Sequence, residues 1–169
     1  MERIKGKIIM KISTKGIYAL EILTDLAMHS EADQPESLKN IAGRRLLSEK
    51  YLERIVKSLK DAGLISSVRG TYGGYCLSRA PGEIRVKDVL NAVEGELTPV
   101  ECLTKETSCR IDCDSCPTRE TWAQMWRYIL RVTEEVTVED IVRKTKNEKQ
   151  VLTMEHNGCI TLNIQNISK

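Results

Sequence analysis

Residues 48–79 read SEKYLERIVKSLKDAGLISSVRGTYGGYCLSR. Ser48 is a residue type that caps helices by accepting from an orphan backbone amide. Leu52, Ile55, Val56 and Leu59 follow at the 3–4 spacing of a buried helical stripe, and Gly63 suits the left-handed position just past a helix end. Two short extended runs, Ile65–Val68 and Tyr75–Leu77, flank Arg69-Gly70-Thr71-Tyr72-Gly73-Gly74. Glycines there allow a tight tip and let the backbone approach a nucleic-acid backbone closely. Helix, glycine stop and basic hairpin, in that order, are the pattern of a winged helix-turn-helix. The expected fold is therefore mainly α, with a two-stranded wing.

Upstream, a helix is expected from Ser13 or Thr14 to about His29, with Ile17, Leu20, Ile22, Leu23, Leu26 and Ala27 inward and Glu21 and Asp25 on other faces. Pro35 makes continuation of that helix unfavourable, and a short helix from Ser37 to about Arg45 precedes the quoted stretch. Downstream, Val86, Val89, Leu90 and Val93 mark a fourth helix over about 86–92. Residues 98–117 have no sustained period and read as a loop. From about Thr118 to Val132 the period returns with Trp122, Met125, Trp126, Ile129, Leu130 and Val132. Thr137 and Asp140 have capping-box spacing for a short helix to about Arg143. Beyond it, residues 145–169 are ambiguous, with a weak hairpin signal at Asn157-Gly158.

The 169 residues suffice for one medium domain, and 41% hydrophobic with 30% charged residues suit a packed core and a hydrated surface. The net charge of +2 divides unevenly. Residues 1–80 hold fourteen Lys/Arg against nine Asp/Glu, and the remainder twelve against fifteen, so positive charge lies with the proposed reading unit. No apolar run is long enough for a membrane span, and Lys5–Ile12 is too short and interrupted for a signal peptide, so the cytoplasm is the expected location. No histidine accompanies the cysteine group, and there is no convincing acid–base pair or phosphate loop. An enzyme is not expected.

In such a unit the third helix enters the major groove of double-stranded DNA and the wing meets phosphate or the minor groove. Ser48, Lys50, Tyr51 and Arg54 are the candidate contacts of the helix, and Arg69 and Tyr72 those of the wing. Glu53 can accept from a cytosine amino group or simply balance Lys57 at i,i+4. One module covers half a site, so two copies are expected, paired through Trp122, Met125, Trp126 and Ile129.

Four of the six cysteines fall within fifteen residues: Cys102, Cys109, Cys113 and Cys116. Thiolates on a loop can encircle an iron–sulfur cluster or zinc, or exchange disulfides, and the spacing leaves all three open. Cys76 and Cys159 are expected to fill small apolar spaces, and His29 and His156 to be structural.

Several segments together resemble the Rrf2 family of bacterial winged-helix regulators. They are MKISTKGIYAL at 10–20, SLKNIA at 37–42, the quoted stretch with Leu47, VKDVLNAVEG at 86–95 and CPTRETW at 116–122. That family includes the iron–sulfur cluster regulator, nitric-oxide-sensing regulators and the cysteine-metabolism repressor. The likeness covers about residues 10–143. It implies a homodimer with crossed C-terminal helices on an imperfect palindrome, with Glu53 as a discriminating acid and Arg69 as the minor-groove arginine. It also implies Cys102, Cys109 and Cys116 as cluster ligands. Both gaps here are six residues rather than the commoner five. Arg119 stands where one branch has a ligand histidine, and Cys113 is additional. A three-cysteine [4Fe–4S] cluster, a [2Fe–2S] centre with another fourth ligand, and Cys113 in place of Cys109 stay open. So does a cluster-free regulator of sulfur metabolism. The expected division is a DNA-binding domain at 1–95 (1–9 an extension if Met10 is the start), a sensor loop at 96–117, a dimerisation helix region at 118–145 and a tail at 146–169.

Overall fold

A computed structural model of the chain describes residues 12–30, 34–70, 72–106 and 112–152, with side chains as far as 146. The basic stretch 1–11, Cys109, the 157–158 hairpin, His156 and Cys159 lie outside the described residues. Six α-helices and one two-stranded sheet are described: α1 (Thr14–His29), α2 (Leu38–Arg45), α3 (Glu49–Asp61), β1 (Ile65–Val68), β2 (Gly74–Leu77), α4 (Val86–Glu94), α5 (Arg119–Glu135) and α6 (Val138–Leu152). The strands pair antiparallel, with Ile65 opposite Leu77 and Val68 opposite Gly74. The chain is mainly helical with a two-stranded wing, as its pattern implies.

One core joins these elements. Ala19, Ile22, Leu23 and Leu26 of α1 meet Ile41 and Ala42 of α2, the full stripe Leu52, Ile55, Val56 and Leu59 of α3, and Val89 and Val93 of α4. Val138 and Val142 of α6 close it from the far side. Ile17, expected inward, is instead exposed, because it borders an open hollow shared with Leu90, Thr133 and Ile141 rather than the closed core. Helix α6 also runs well past Arg143 to Leu152, which puts residues 146–152 of the expected tail in a helix. Its start follows the capping box: Asp140 accepts from the Thr137 amide (3.0 Å), and the Thr137 hydroxyl accepts from the Asp140 amide (3.2 Å).

The ends of α3 differ from each other. At its C-terminus Gly63 has φ 69°, and the amides of Gly63 and Leu64 bond to the carbonyls of Lys60 (2.9 Å) and Leu59 (3.0 Å), a Schellman closure. At its N-terminus Ser48 makes no side-chain cap, whereas Ser13 and Ser37 each accept a 3.1 Å bond from an amide of their own helix. The turn between α2 and α3 passes through Leu46, at φ 54° and ψ 39° and 92% exposed. A β-carbon in that region is strained, and here it carries an apolar side chain into solvent.

Asp25 does not point away from the core, as the α1 pattern suggests. It is 1% exposed, with Arg44 Nη2 at 2.6 Å and Arg45 Nε at 3.3 Å. Arg44 reaches on to Glu36 (3.1 Å), and the Glu36 backbone exchanges two hydrogen bonds with Tyr75 of the wing (2.9 and 2.8 Å). A β-carbon at Gly74 would stand 2.4 Å from the Glu36 carbonyl oxygen, and one at Gly73 2.4 Å from that of Val68. The close approach these two glycines permit is thus to the chain's own backbone.

Asp25→Ala is expected to cost about 3 kcal/mol or more by leaving Arg44 and Arg45 without their buried anion; a urea midpoint shift at unchanged slope measures it. Leu46→Asn is expected to raise stability by about 0.5–1 kcal/mol, since asparagine tolerates the left-handed region and exposes less apolar surface; thermal unfolding reads the sign.

Candidate nucleic-acid interface and thiol loop

Lys50, Glu53, Arg54 and Lys57 are exposed on α3, opposite its buried stripe. Tyr51 is half-buried and meets Tyr18 of α1 edge-on, with ring centroids 5.7 Å apart, so its ring is held by packing. Ser48 is exposed, and its hydroxyl makes no capping bond at the helix start. Four amides at a helix start lack intrahelical acceptors, and they favour an anion placed before them.

The wing carries Arg69 directly after β1 and Tyr72 between the strands, both exposed. Lys60 Nζ donates to Ser67 Oγ (2.7 Å), which ties the last turn of α3 to β1. Cys76 does not fill an apolar space. It is half-buried on β2 with its sulfur 3.1 Å from the Ser66 hydroxyl across the ladder. His29 ends α1 with Nδ1 2.9 Å from the Asp25 carbonyl oxygen, a structural contact.

The thiol loop lies between α4 and α5. Cys102 is in a short 3₁₀ turn, Glu101–Leu103, and Cys113 opens another, Cys113–Ser115. Cys116 stands three residues before α5. Cys113 and Cys116 line one hollow of about 490 Å³ together with Leu103, Arg119 and Trp126. Arg119 donates from Nη1 to the Cys102 carbonyl oxygen (3.2 Å), which holds the first turn of the loop against the start of α5.

The Cys116 thiol lies below its ordinary range. The Thr118 hydroxyl 3.6 Å away contributes most, followed by the Thr118 amide, with smaller help from Arg119. Thiolate is the form that binds metals and attacks disulfides. Among the described residues no three His, Cys, Asp or Glu side chains converge on one point. The donors are nonetheless soft sulfurs, one of them biased toward thiolate, and Trp126, whose buried indole N–H has no acceptor among the described residues, lines the same hollow. That chemistry fits a thiolate-bound centre.

Helix α5 buries none of its residues. Trp122 is 37% and Met125 42% exposed, while Trp126 and Ile129 are half-buried. Tyr128 and Val132, each 52% exposed, extend the apolar face beyond the expected four. Spacings of three, four and seven from Met125 put Tyr128, Ile129 and Val132 on its side of the helix, a signal that was present in the sequence. No helix among the described residues is long and apolar enough to cross a membrane.

The Rrf2 family, described as "Iron-dependent Transcriptional regulator", matches residues 12–144. The HTH-type transcriptional regulator CymR of Bacillus subtilis is 41% identical over 142 residues, covering 83% of this chain and 96% of that protein. Its solved structure, titled as that of the global cysteine regulator of B. subtilis, superimposes with a TM-score of 0.68, at 38% identity over 80% of this chain and 98% of the other. A structure titled T. potens IscR follows at a TM-score of 0.66, with 34% identity over 88% of this chain and 94% of the other. The matches run through helix-turn-helix, wing, thiol loop and α5 alike, and the chain belongs to the Rrf2 family of DNA-binding transcription regulators rather than to any class of enzyme.

Proposed function

We propose that two copies of the chain pair through α5 and set two α3–wing units on an imperfect palindrome, with occupancy governed by an iron–sulfur centre on the thiol loop. The observation that carries the proposal is the thiol loop ending at the start of α5, a helix whose apolar face lies open. An exposed row of Trp122, Met125, Tyr128 and Val132 is costly in water and marks an interaction surface. Exposed Ile17 on α1 adds to the same requirement. A two-fold pairing satisfies it with one patch used twice.

In this reading Lys50 and Arg54 engage the major groove, with Ser48 and the free amides of α3 on phosphate. Glu53 selects against bases that cannot donate to it. The Tyr51 ring is committed to Tyr18, so its hydroxyl is the part left for DNA. Arg69 enters the minor groove and Tyr72 lies along the sugar–phosphate edge. Cys102, Cys109 and Cys116 hold the centre, with Cys113, already on the hollow, as the alternative or additional ligand. Such a centre supplies charge and geometry that change with its oxidation state or loss. Arg119 holds Cys102 near the start of α5, and Thr118 biases Cys116 toward the ligating form. The same bias serves a zinc site or a thiol switch, and metal analysis separates these.

Arg69→Ala is expected to weaken binding to a promoter fragment recovered by genomic footprinting about tenfold and to lower the salt slope by about one. An unchanged slope in titrations at several salt concentrations would remove Arg69 from the interface. Protein purified without oxygen is expected to be coloured, with iron and sulfide that are lost in Cys102→Ala, Cys109→Ala or Cys116→Ala. A colourless, iron-free protein with stoichiometric zinc overturns the cluster.

A further inference from the structure

We infer that the indole N–H of Trp126 donates to a sulfur of the thiol loop, either a ligating thiolate or a bridging sulfide, and thereby positions and tunes the centre held there. This rests on the cofactor reading above. Trp126 lies on α5 and shares the hollow with Cys113 and Cys116. Its Nε1 is shielded from solvent and has no acceptor among the described residues. An indole nitrogen can only donate, and a buried donor left unpaired costs about 1–3 kcal/mol. Native proteins leave few such groups, and each one that persists calls for an explanation.

Two carboxylates also face the hollow, but both are exposed to water. Glu120 is moreover occupied by Arg127 at 2.6 Å, and Asp114 sits on the exposed 3₁₀ turn. The half-buried Cys113 and Cys116 sulfurs are the other side-chain acceptors that line the hollow. Hydrogen bonds to the sulfurs of a cluster are one of the means by which a protein sets its potential and holds its ligands in place. Trp122, one turn earlier on the same helix, is exposed to water and serves as the internal control.

The test uses the full chain labelled with ¹⁵N at indole nitrogen and titrated anaerobically with Cd²⁺, a diamagnetic thiolate-seeking probe. The two indole resonances are assigned with Trp122→Phe and Trp126→Phe, both of which keep an aromatic ring in place. The expected result is a downfield shift and slowed solvent exchange of the Trp126 N–H alone, saturating with the ultraviolet thiolate–cadmium band and absent in the Cys113→Ala, Cys116→Ala double variant. A thiolate–cadmium band with an unmoved, freely exchanging Trp126 resonance overturns the inference while leaving the metal-site reading intact. Absence of both the band and any iron or zinc in the native protein overturns that reading and the inference with it. In protein purified with its cluster, Trp126→Phe is expected to give a more negative midpoint potential than wild type or Trp122→Phe. Equal potentials in all three also overturn the proposal.

Discussion

The buried carboxylate of Asp25 is the point through which the DNA-reading half of the molecule is tied together. A carboxylate with 1% exposure survives only when its charge is answered, and here two arginines from the end of α2 answer it. Because Arg44 also holds Glu36, and the Glu36 backbone pairs with Tyr75, one polar chain runs from α1 through the helix-turn-helix to the wing. Glu36 has a depressed pKa. Burial, the largest influence, pushes it up, but the Asn40 and Arg44 side chains together more than reverse this. Its contribution to stability is therefore full above the ordinary carboxylate range and fades as pH falls through the depressed value. The apolar core packs α1 against α3, but packing is tolerant of small rotations. Ion pairs with two and three fixed partners are far less so, and they tie α1 and α2 to each other and to the hairpin.

A second set of contacts fixes α1 to the other half. Glu94, at the end of α4, accepts from the Ser13 amide (3.0 Å), the Gly16 amide (3.0 Å) and the Ser13 hydroxyl (2.6 Å), so the start of α1 is closed by a carboxylate from a distant helix. A negative charge at that end also opposes the helix dipole favourably. Gly16 is required by this arrangement, since a β-carbon there would meet Glu94 Oε1 at 2.8 Å. Lys87 on α4 pairs with Glu134 near the end of α5, and Arg85 bridges Thr137 in the turn before α6. The C-terminal end of α5 is therefore pinned, while its first turns stand on the thiol loop.

How far this was legible in the sequence depends on whether the signal was local. The stripe Leu52, Ile55, Val56 and Leu59 and the glycine after α3 were readable because a helix and its stop are written within four residues of each other. Asp25 was not readable, because a polar residue between apolar ones reads as a solvent face until its partners arrive from α2, nineteen positions on in the case of Arg44. The role of Gly74 was obscured in the same way, since Glu36 supplies the backbone that it must admit. The extension of α6 through KNEKQ carries no apolar period, yet nothing in it stops a helix, and propagation from a capped start is favourable. At the thiol loop the spacing identified the cysteines but not their neighbours. Trp126 counted as one more apolar residue of α5, and only the fold put its ring on the hollow that Cys113 and Cys116 line.

These constraints bear on how a change at the loop could be felt at α3. A centre that binds two states of the protein equally shifts nothing, so the loop must be coupled to something with two arrangements. The chain offers a lever rather than a continuous spring. Arg119 grips the loop at one end of α5, and the Lys87–Glu134 pair with the Arg85–Thr137 bridge hold the other. In the dimer proposed above, movement of the first turns would turn the helix about its pinned end. In that two-fold pair the rotation would act twice, once in each protomer, and would alter the separation of the two wings without deforming either DNA-reading unit. The Asp25 network resists deformation inside the unit, while the open face of α5 leaves rotation between units as the softer coordinate. If the proposed pair forms, regulation by spacing, rather than by melting α3, is the mode that this arrangement favours.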